Sequence, residues 1–244
     1  MCMKSLFALF LALCLISFTV GDFKTDQLRY SRVRTAFAEK EKHLNEILSQ
    51  KGLSTSQLQL AIFAYKNEKK VEVWATNSNE YQLIKTYDFC SASGSLGPKR
   101  QQGDMQIPEG LYHIDRFNPA SNFYLSLGIN YPNSSDRMRA NGNAGGDIFI
   151  HGDCVTIGCI PITDDKIKEL YALCVLAKDQ GQNHIPVSIF PFKMSDENMM
   201  RFKTHKHYNF WRELEPFYEY FKENKALAEF KIDRDGKYLV VGAD

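Results

Sequence analysis

The stretch from Asp147 to Asp165 constrains this chain more than any other part of it. It reads D-I-F-I-H-G-D-C-V-T-I-G-C-I-P-I-T-D-D. The β-branched and aromatic residues before His151 are typical of a buried strand. Thr163 is a candidate N-cap, the acidic pair after it suits the positive first turn of a helix, and Gly181 suits the helix end. We therefore predict a strand, a loop and a helix, with Cys159 just ahead of the helix.

Acyl transfer through a cysteine uses a cysteine and a histidine, and this stretch supplies Cys159 and His151. The thiolate attacks carbonyl carbons, and a nearby imidazole or helix N-terminus lowers the pKa of such a thiol. Gly152 and Gly158 allow the backbone to approach a substrate closely. The N–H groups around Gly158 and Cys159 are candidates for an oxyanion hole, and we expect Thr156 to support this loop.

Several motifs, in a fixed order, resemble a known family. The pattern H-G-x-C-x-T-x-G-C at 151–159 follows G-P-K-x-x-x-G-D-x-x-x-P-E-G-x-Y at 97–112, and N-Y-P-N with Asp136-Arg137 lies between them. Together these motifs resemble the YkuD or L,D-transpeptidase catalytic domain, and within it the YafK-type branch, over roughly residues 58–192. The resemblance implies Cys159 as nucleophile, His151 as base, and a β-sandwich core.

Two positions depart from the common signature of that family. Ile157 stands where a second histidine is usual, as expected for the YafK-type branch, and its backbone carbonyl is a candidate to orient an imidazole. Pro161 replaces a polar or basic residue two positions after the cysteine. We expect this second change to alter the contacts with substrate.

Two other interpretations of the cysteines compete with catalysis. His151, Cys154 and Cys159 are zinc-ligand types, although a structural zinc site uses four ligands at regular spacing. Free cysteines also serve as buried apolar residues. We predict a free Cys159, a structural Cys154, no metal or organic cofactor, and a fold that does not depend on a disulfide framework.

The start of the chain predicts export. Lys4 precedes an apolar run from Leu6 to Val20, and small residues follow up to Gly21. This pattern is typical of a secretory signal peptide at residues 1–21. The alternative is an uncleaved segment that anchors the protein to the inner membrane. We expect a bacterial periplasmic or cell-envelope location and a monomer.

The charge balance narrows the classes of partner. Lys and Arg number 30 against 29 Asp and Glu, which leaves a net charge of +1, and no long block of like charge occurs. This composition excludes the basic footprint of a nucleic-acid-binding protein and that of a protein bound to membrane surfaces.

The remaining patterns predict an α+β chain that is mainly β with peripheral helices. An amphipathic N-terminal helix at 22–57 precedes the catalytic domain at 58–192, and a C-terminal extension at 193–244, helical and then hairpin, packs on that domain. Further strands are predicted at 58–65, 70–75, 81–90, 110–117, 123–127 and 185–192. Pro186 and Pro191 place the last strand near a sheet edge. In the extension we expect Pro216 to break a helix, and Asp235-Gly236 to form a type I′ turn.

Four further residues are candidates for substrate binding. Arg137 and Arg139 can pair with the carboxylates of an acidic peptide, and a structural ion pair is the equal alternative. Lys99 lies in the polar loop 91–106, where cations are often only solvated. Tyr112 belongs to the P-E-G-x-Y motif, yet an aromatic residue in a strand is first a core residue.

The resemblance implies acyl transfer at peptidoglycan stem peptides. A hydrolase or amidase that releases wall-linked peptides or proteins is the close alternative, because both reactions share one thioester. A non-catalytic exported binding module is the third. The presence of both His151 and Cys159 argues against the binding module.

Overall fold

The computed structural model describes residues 22–242, so the predicted signal peptide at 1–21 lies outside the described residues. The helices are α1 (Asp22–Gln27), α2 (Ser31–Gln50), α3 (Ser134–Met138), α4 (Asp164–Asp179), α5 (Asp196–Arg201) and α6 (Tyr208–Asn224). The strands are β1 (Gln59–Tyr65), β2 (Lys70–Thr76), β3 (Gln82–Asp88), β4 (Gly110–Asn118), β5 (Ser126–Ile129), β6 (Phe149–His151), β7 (Ile160–Pro161), β8 (Ile185–Phe190), β9 (Phe230–Ile232) and β10 (Tyr238–Val240).

Eight strands form one continuous sheet in the order β3-β2-β1-β8-β4-β5-β6-β7, and β9 and β10 form a separate hairpin. The β1–β8 and β6–β7 pairs are parallel, and the other pairs in the sheet are antiparallel. The predicted α+β class, a β core with peripheral helices and a helical and hairpin C-terminal extension, is confirmed.

Helices α2 and α4 cover one face of the sheet, which we call the helix face. Alternate strand residues point into it because successive side chains of a strand lie on opposite faces. Its buried core is largely aliphatic and includes Leu60, Ile62, Val73, Leu127, Ile150, Val187 and Ile189 from the sheet, Leu44 and Leu48 from α2, and Leu170 and Leu173 from α4. In place of the single N-terminal helix predicted at 22–57, the structure has two helices, α1 and α2, which end at Gln50 and pack against α4. Among the described residues, no helix is long and apolar enough to cross a membrane.

The C-terminal extension covers part of the opposite face, which we call the site face. Its layer is mostly aromatic and includes Phe63, Tyr65, Phe190, Phe192, Trp211, Phe217, Phe221 and Tyr238. Because Ile150 points into the helix-face core, its neighbours Phe149 and His151 lie on the site face. Strand β6 therefore presents His151 on the face opposite α2 and α4.

Two proline-based predictions are wrong. Strand β8 lies in the middle of the sheet between β1 and β4, not at an edge. Its prolines are tolerated because pairing with β1 begins at Val187, after Pro186, and Pro191 follows the last strand residue. Helix α6 continues through Pro216, and Trp211, Leu214, Phe217 and Phe221 are buried along it. This burial on both sides of the proline offsets the lost backbone hydrogen bond.

Two local predictions also need correction. The predicted strand at 123–127 begins only at Ser126, because Tyr124 adopts a φ of +70° in the preceding turn. In the last hairpin, Gly236 has a φ of +80° but Asp235 is not among the residues of positive φ, so the turn is not type I′. The Asp233 carboxylate closes this loop instead by accepting hydrogen bonds from the N–H groups of Asp235 and Lys237.

Candidate active site

The pairing of β6 with β7 brings the candidate catalytic residues together. His151 ends β6 and is opposite Pro161 in β7. Cys159 directly precedes β7 and lies two residues before Pro161, so strand alternation places it on the same face as His151. The short strand β7, which the sequence did not predict, therefore sets the relation between the imidazole and the thiol.

His151 is buried and has an oriented ring. Its Nδ1 contacts the carbonyl oxygen of Gly152, which can only accept, so Nδ1 carries the proton and Nε2 is left as an acceptor. The Phe123 ring lies 4.6 Å from the imidazole, centroid to centroid. Burial lowers the pKa of His151, against the opposing effects of the Gly152 hydrogen bond and of Asp153. The resting ring is therefore neutral near pH 7.

The predicted source of this orientation is wrong. We expected the backbone carbonyl of Ile157 to orient the imidazole, but the carbonyl of Gly152 does so. The Ile157 side chain is 76% exposed at the tip of the loop. Orientation thus comes from the residue next to His151 rather than from the position of the missing second histidine.

The Cys159 thiol lies between two backbone groups. Its Sγ accepts a hydrogen bond from the N–H of Phe149 at 3.4 Å and donates toward the carbonyl oxygen of Asp147 at 3.7 Å. Burial raises the pKa of the Cys159 thiol; the Phe149 N–H and the charge of Lys99 act to lower it, and Asp147 acts to raise it. The resting site therefore holds a thiol, not the thiolate expected from a nearby helix terminus.

The N-terminus of α4 hydrogen-bonds to the loop after His151 rather than to the sulfur of Cys159. Strand β7 separates Cys159 from the helix. Thr163 occupies the N-cap position with a φ of +74°, and its side chain makes no capping hydrogen bond. Asp164 instead accepts a hydrogen bond from the Asp153 N–H at 2.7 Å. The predicted helix end is confirmed, because Gly181 follows the helix with a φ of +95°.

The predicted oxyanion loop is internally hydrogen-bonded. Thr156 Oγ1 accepts from the Gly158 N–H at 3.1 Å and donates to the Cys159 carbonyl at 2.8 Å, while the Gly152 N–H donates to Leu125 at 3.2 Å. Gly158 has a φ of +141°, and a Cβ there would lie 3.0 Å from the Gln106 carbonyl oxygen. Glycine is required at that point, and the oxyanion role of these groups stays a prediction.

A disulfide joins Cys90 to Cys154 with a Cα–Cα distance of 5.4 Å. It ties the segment after β3 to the loop between His151 and Cys159. Cys154 is therefore structural, as expected, and cannot serve as a thiolate ligand for zinc. Cys159 and the buried Cys174 are the free cysteines of the described residues.

Lys99 is buried in the loop 91–106. Its Nζ donates to Asp104 Oδ1 at 2.6 Å and to the Gln101 carbonyl at 2.9 Å. Burial of Asp104 acts to raise its pKa, but hydrogen bonds from Lys99 and from the N–H groups of Arg100, Gln106 and Gln101 hold the pKa below its usual value. Lys99 thus organises the loop beside Cys159, and its contact with substrate stays a prediction.

The other substrate-binding candidates lie in different surroundings. Tyr112 is buried and its hydroxyl donates to Asp136 at 3.2 Å, whereas Arg139 pairs with Glu213 of α6 at 2.8 Å. Both placements match the structural alternative. Arg137 is exposed and lines a cavity of about 700 Å³ between β4, β8 and the C-terminal hairpin, a cavity that His151 and Cys159 do not line. Binding of substrate by these three residues stays a prediction.

The sequence interpretation missed a buried polar cluster behind the loop. Glu109 is fully buried; its Oε1 lies 3.0 Å from Lys66 Nζ and accepts from the Gly97 N–H at 2.7 Å. Its Oε2 accepts from Trp211 Nε1 at 2.8 Å. Lys66 also donates to the carbonyls of Gly97 and Ile107, at 2.7 and 2.8 Å. The signal was Glu109 itself, an acidic residue directly before a buried strand.

Comparison with known proteins places this geometry in a family. The model of the YkuD L,D-transpeptidase catalytic domain matches residues 59–189. The chain belongs to this family. It is 38% identical over 178 residues to the Escherichia coli K12 protein named "Putative L,D-transpeptidase YafK", covering 72% of this chain and 71% of that protein. The family match runs from β1 into β8 and includes His151 and Cys159.

Solved structures show weaker similarity. The helical cell shape determining protein Pgp2 from Campylobacter jejuni is 16% identical with a TM-score of 0.46, covering 72% of this chain and 73% of that one. Bd1075 from Bdellovibrio bacteriovorus is 24% identical with a TM-score of 0.39, covering 64% of this chain and 58% of that one.

Proposed function

We propose that this protein is an exported cysteine acyltransferase that acts on peptidoglycan stem peptides. The observation that carries the proposal is the β6–β7 pairing, which brings an oriented His151 and a free Cys159 to one side of the sheet in a member of the L,D-transpeptidase family. The signal-peptide pattern at 1–21 supports export to the periplasm, and we expect the mature protein to act as a monomer.

The proposed reaction begins from a neutral imidazole and a protonated thiol. His151 Nε2 takes the proton of Cys159 as Sγ bonds to an amide carbonyl carbon, and backbone N–H groups stabilise the oxyanion. The carbon–nitrogen bond then breaks, and His151 returns the proton to the leaving amine. The product of this half-reaction is a thioester on Cys159.

The second half-reaction decides between the two enzymatic alternatives. An acceptor amine attacks the thioester carbon and His151 accepts its proton. The carbon–sulfur bond then breaks, and His151 passes this proton to the departing sulfur, which gives a new amide, the restored thiol and a neutral imidazole. Water in place of the amine gives a carboxylic acid instead. We favour transfer, with hydrolysis as the alternative outcome of the test.

The test is mass spectrometry of defined muropeptides incubated with the purified mature protein. We expect cross-linked dimers or exchanged termini, and a loss of at least about 10³-fold in rate for Cys159→Ala, because the thioester can no longer form. The matched control is Cys174→Ala, which removes the other free thiol found within residues 22–242, with thermal unfolding used to check both folds.

Two results would contradict parts of this proposal. Full activity of Cys159→Ala would remove the assigned nucleophile. Released or shortened peptides without exchange, even with excess acceptor amine, would replace transfer by hydrolysis.

A further inference from the structure

Two backbone groups contact the sulfur of Cys159. The two residues that supply these groups are both contacted by the side chain of a third residue. The groups are the Asp147 carbonyl, 3.7 Å from Sγ, and the Phe149 N–H, 3.4 Å from Sγ. The side chain is that of Arg116, on β4. Its Nη1 donates to Asp147 Oδ1 at 2.8 Å, and its guanidinium carbon lies 4.9 Å from the centroid of the Phe149 ring.

The sheet leaves room at Gly128 for the Arg116 side chain to cross β5 and reach Asp147 and Phe149. Gly128 of β5 is opposite Arg116 on one side and opposite Phe149 on the other. A Cβ at Gly128 would lie 2.9 Å from Arg116 Nε and 3.1 Å from Arg116 Cβ. Any larger residue would therefore displace the arginine from its path across β5. Asp115 also accepts from Arg116 Nε at 3.2 Å and holds the guanidinium from the near side.

Asp147 needs such an anchor because of its backbone. It is a non-glycine residue with a φ of +56°, a region that aspartate tolerates but that is not its preferred conformation. The direction of its carbonyl toward Sγ depends on this conformation. Its side chain is 81% exposed, and the ion pair with Arg116 is the contact that restrains it.

We propose that Arg116 is a positioning residue for the nucleophile: by holding Asp147 and Phe149 it fixes Cys159 Sγ between their backbone groups, and its positive charge offsets the Asp147 carboxylate beside the thiol. The proposal rests on the proposed function only in taking Cys159 as the nucleophile. It predicts that Arg116 affects the reactivity of the thiol itself, before any substrate binds.

The charge effect has a defined sign. The Asp147 carboxylate acts to raise the pKa of the Cys159 thiol, because a negative charge disfavours the thiolate. Without Arg116 this carboxylate loses its ion-pair partner, and only Lys99 and the Phe149 N–H still act to lower the pKa of the thiol, so less thiolate forms at a given pH. When Asp147 is also replaced, the carboxylate that raises the pKa of the Cys159 thiol is gone. Loss of Arg116 should then change this pKa much less.

The experiment measures alkylation of Cys159 by iodoacetamide from pH 6 to 10, using the mature chain and peptide mass mapping. We expect Arg116→Gln to slow alkylation at pH 7.5 by about three- to tenfold, and Asp147→Asn to speed it, since the charge lies close to the thiol but is partly screened. The alkylation rate of the double variant, Arg116→Gln with Asp147→Asn, should be close to that of Asp147→Asn alone. Arg116→Lys should restore part of the rate that Arg116→Gln loses.

The control is Arg212→Gln, which removes a cation from an exposed ion pair on α6, 2.5 Å from Glu215. It should alkylate like the wild type. Arg116 is 43% exposed, so its loss should leave the thermal unfolding midpoint nearly unchanged. Wild-type alkylation in Arg116→Gln, or additive effects in the double variant, would overturn the proposal.

Turnover measurements separate this proposal from two other outcomes. A higher KM with unchanged alkylation would make Arg116 a substrate contact rather than a positioning residue, which also overturns the proposal. If Cys159→Ala keeps full activity, the proposed function fails, while the alkylation series still reports on Arg116 and the thiol.

Discussion

The two faces of the central sheet are covered by different kinds of side chain. The helix face is filled by aliphatic residues of α2, α4 and the strands, whereas the site face carries an aromatic layer and a buried ion pair. Apolar burial is non-directional and tolerates small shifts, but a buried polar cluster is satisfied in only one arrangement. The comparison indicates that the site face is specified by polar contacts, and that these contacts position the loops around Cys159.

Each face has a buried glutamate that pairs with lysine, Glu109 on the site face and Glu169 on the helix face, so the difference can be measured. Glu109 on the site face is 0% exposed and its partner Lys66 is 5% exposed. Glu169 of α4 lies 3.1 Å from Lys85 and 3.6 Å from Lys40, whose side chains are 26% and 14% exposed. Water therefore reaches the cations of the second cluster but hardly reaches those of the first.

The largest expected effect is that of Glu109→Gln. This change leaves Lys66 buried without a counter-charge and sets an amide donor against the N–H of Gly97 or Trp211. We expect the free energy of unfolding at pH 7 to fall by about 3–5 kcal/mol. Chemical denaturation followed by tryptophan fluorescence measures it, with Glu169→Gln as the matched control, expected to lose about 1 kcal/mol.

The pH dependence sharpens this comparison. Burial lowers the pKa of Lys66, and Glu109 opposes that effect. A lysine whose folded pKa is depressed contributes more stability at high pH, and this contribution is lost as the pH falls through the folded value. The deficit of Glu109→Gln should therefore shrink as the pH rises. Equal losses for Glu109→Gln and Glu169→Gln would contradict the proposed difference between the faces.

A smaller effect is expected from the disulfide that braces the site. The double change Cys90→Ser and Cys154→Ser should lower the free energy of unfolding by about 2–4 kcal/mol, because the unfolded chain is no longer cross-linked. Hydrogen exchange should rise mainly at 152–158, the loop that this bond fixes, and hardly at all in α4. Unchanged exchange in that loop would show that its internal hydrogen bonds suffice.

The smallest expected effect concerns the pH profile of the site. Because burial lowers the pKa of His151 below 6.5, the acid limb of kcat/KM should lie below that pH in the wild type. Phe123→Ala removes the ring that covers the imidazole and should move the limb upward, toward the ordinary value. Phe123→Leu, which keeps an apolar cover, should leave it nearly in place; equal profiles for the two variants would rule out this role for Phe123.

The local structure of the site was predictable from the sequence, but its contacts were not. Apolar alternation before His151 and the signals around α4 predicted the strand and the helix, since burial periodicity and turn chemistry are encoded within a few residues. The capping box of Asn133 and Asp136, which starts α3, is a further signal that the sequence carries. For Lys99 and Arg139 the sequence offered contact with substrate, solvation or an ion pair, and only the fold supplied Asp104 and Glu213 as their partners.

The sequence by itself determined which residues are candidates for the chemistry: a histidine and a cysteine in a glycine-containing loop, in motifs that resemble the family the chain belongs to. Tertiary structure decided how they meet. The parallel pairing of β6 with β7, the central position of β8, the bond between Cys90 and Cys154, and the reach of Arg116 across Gly128 each join segments distant in sequence or in adjacent strands. Such contacts depend on strand order and register, which no local pattern of side chains encodes.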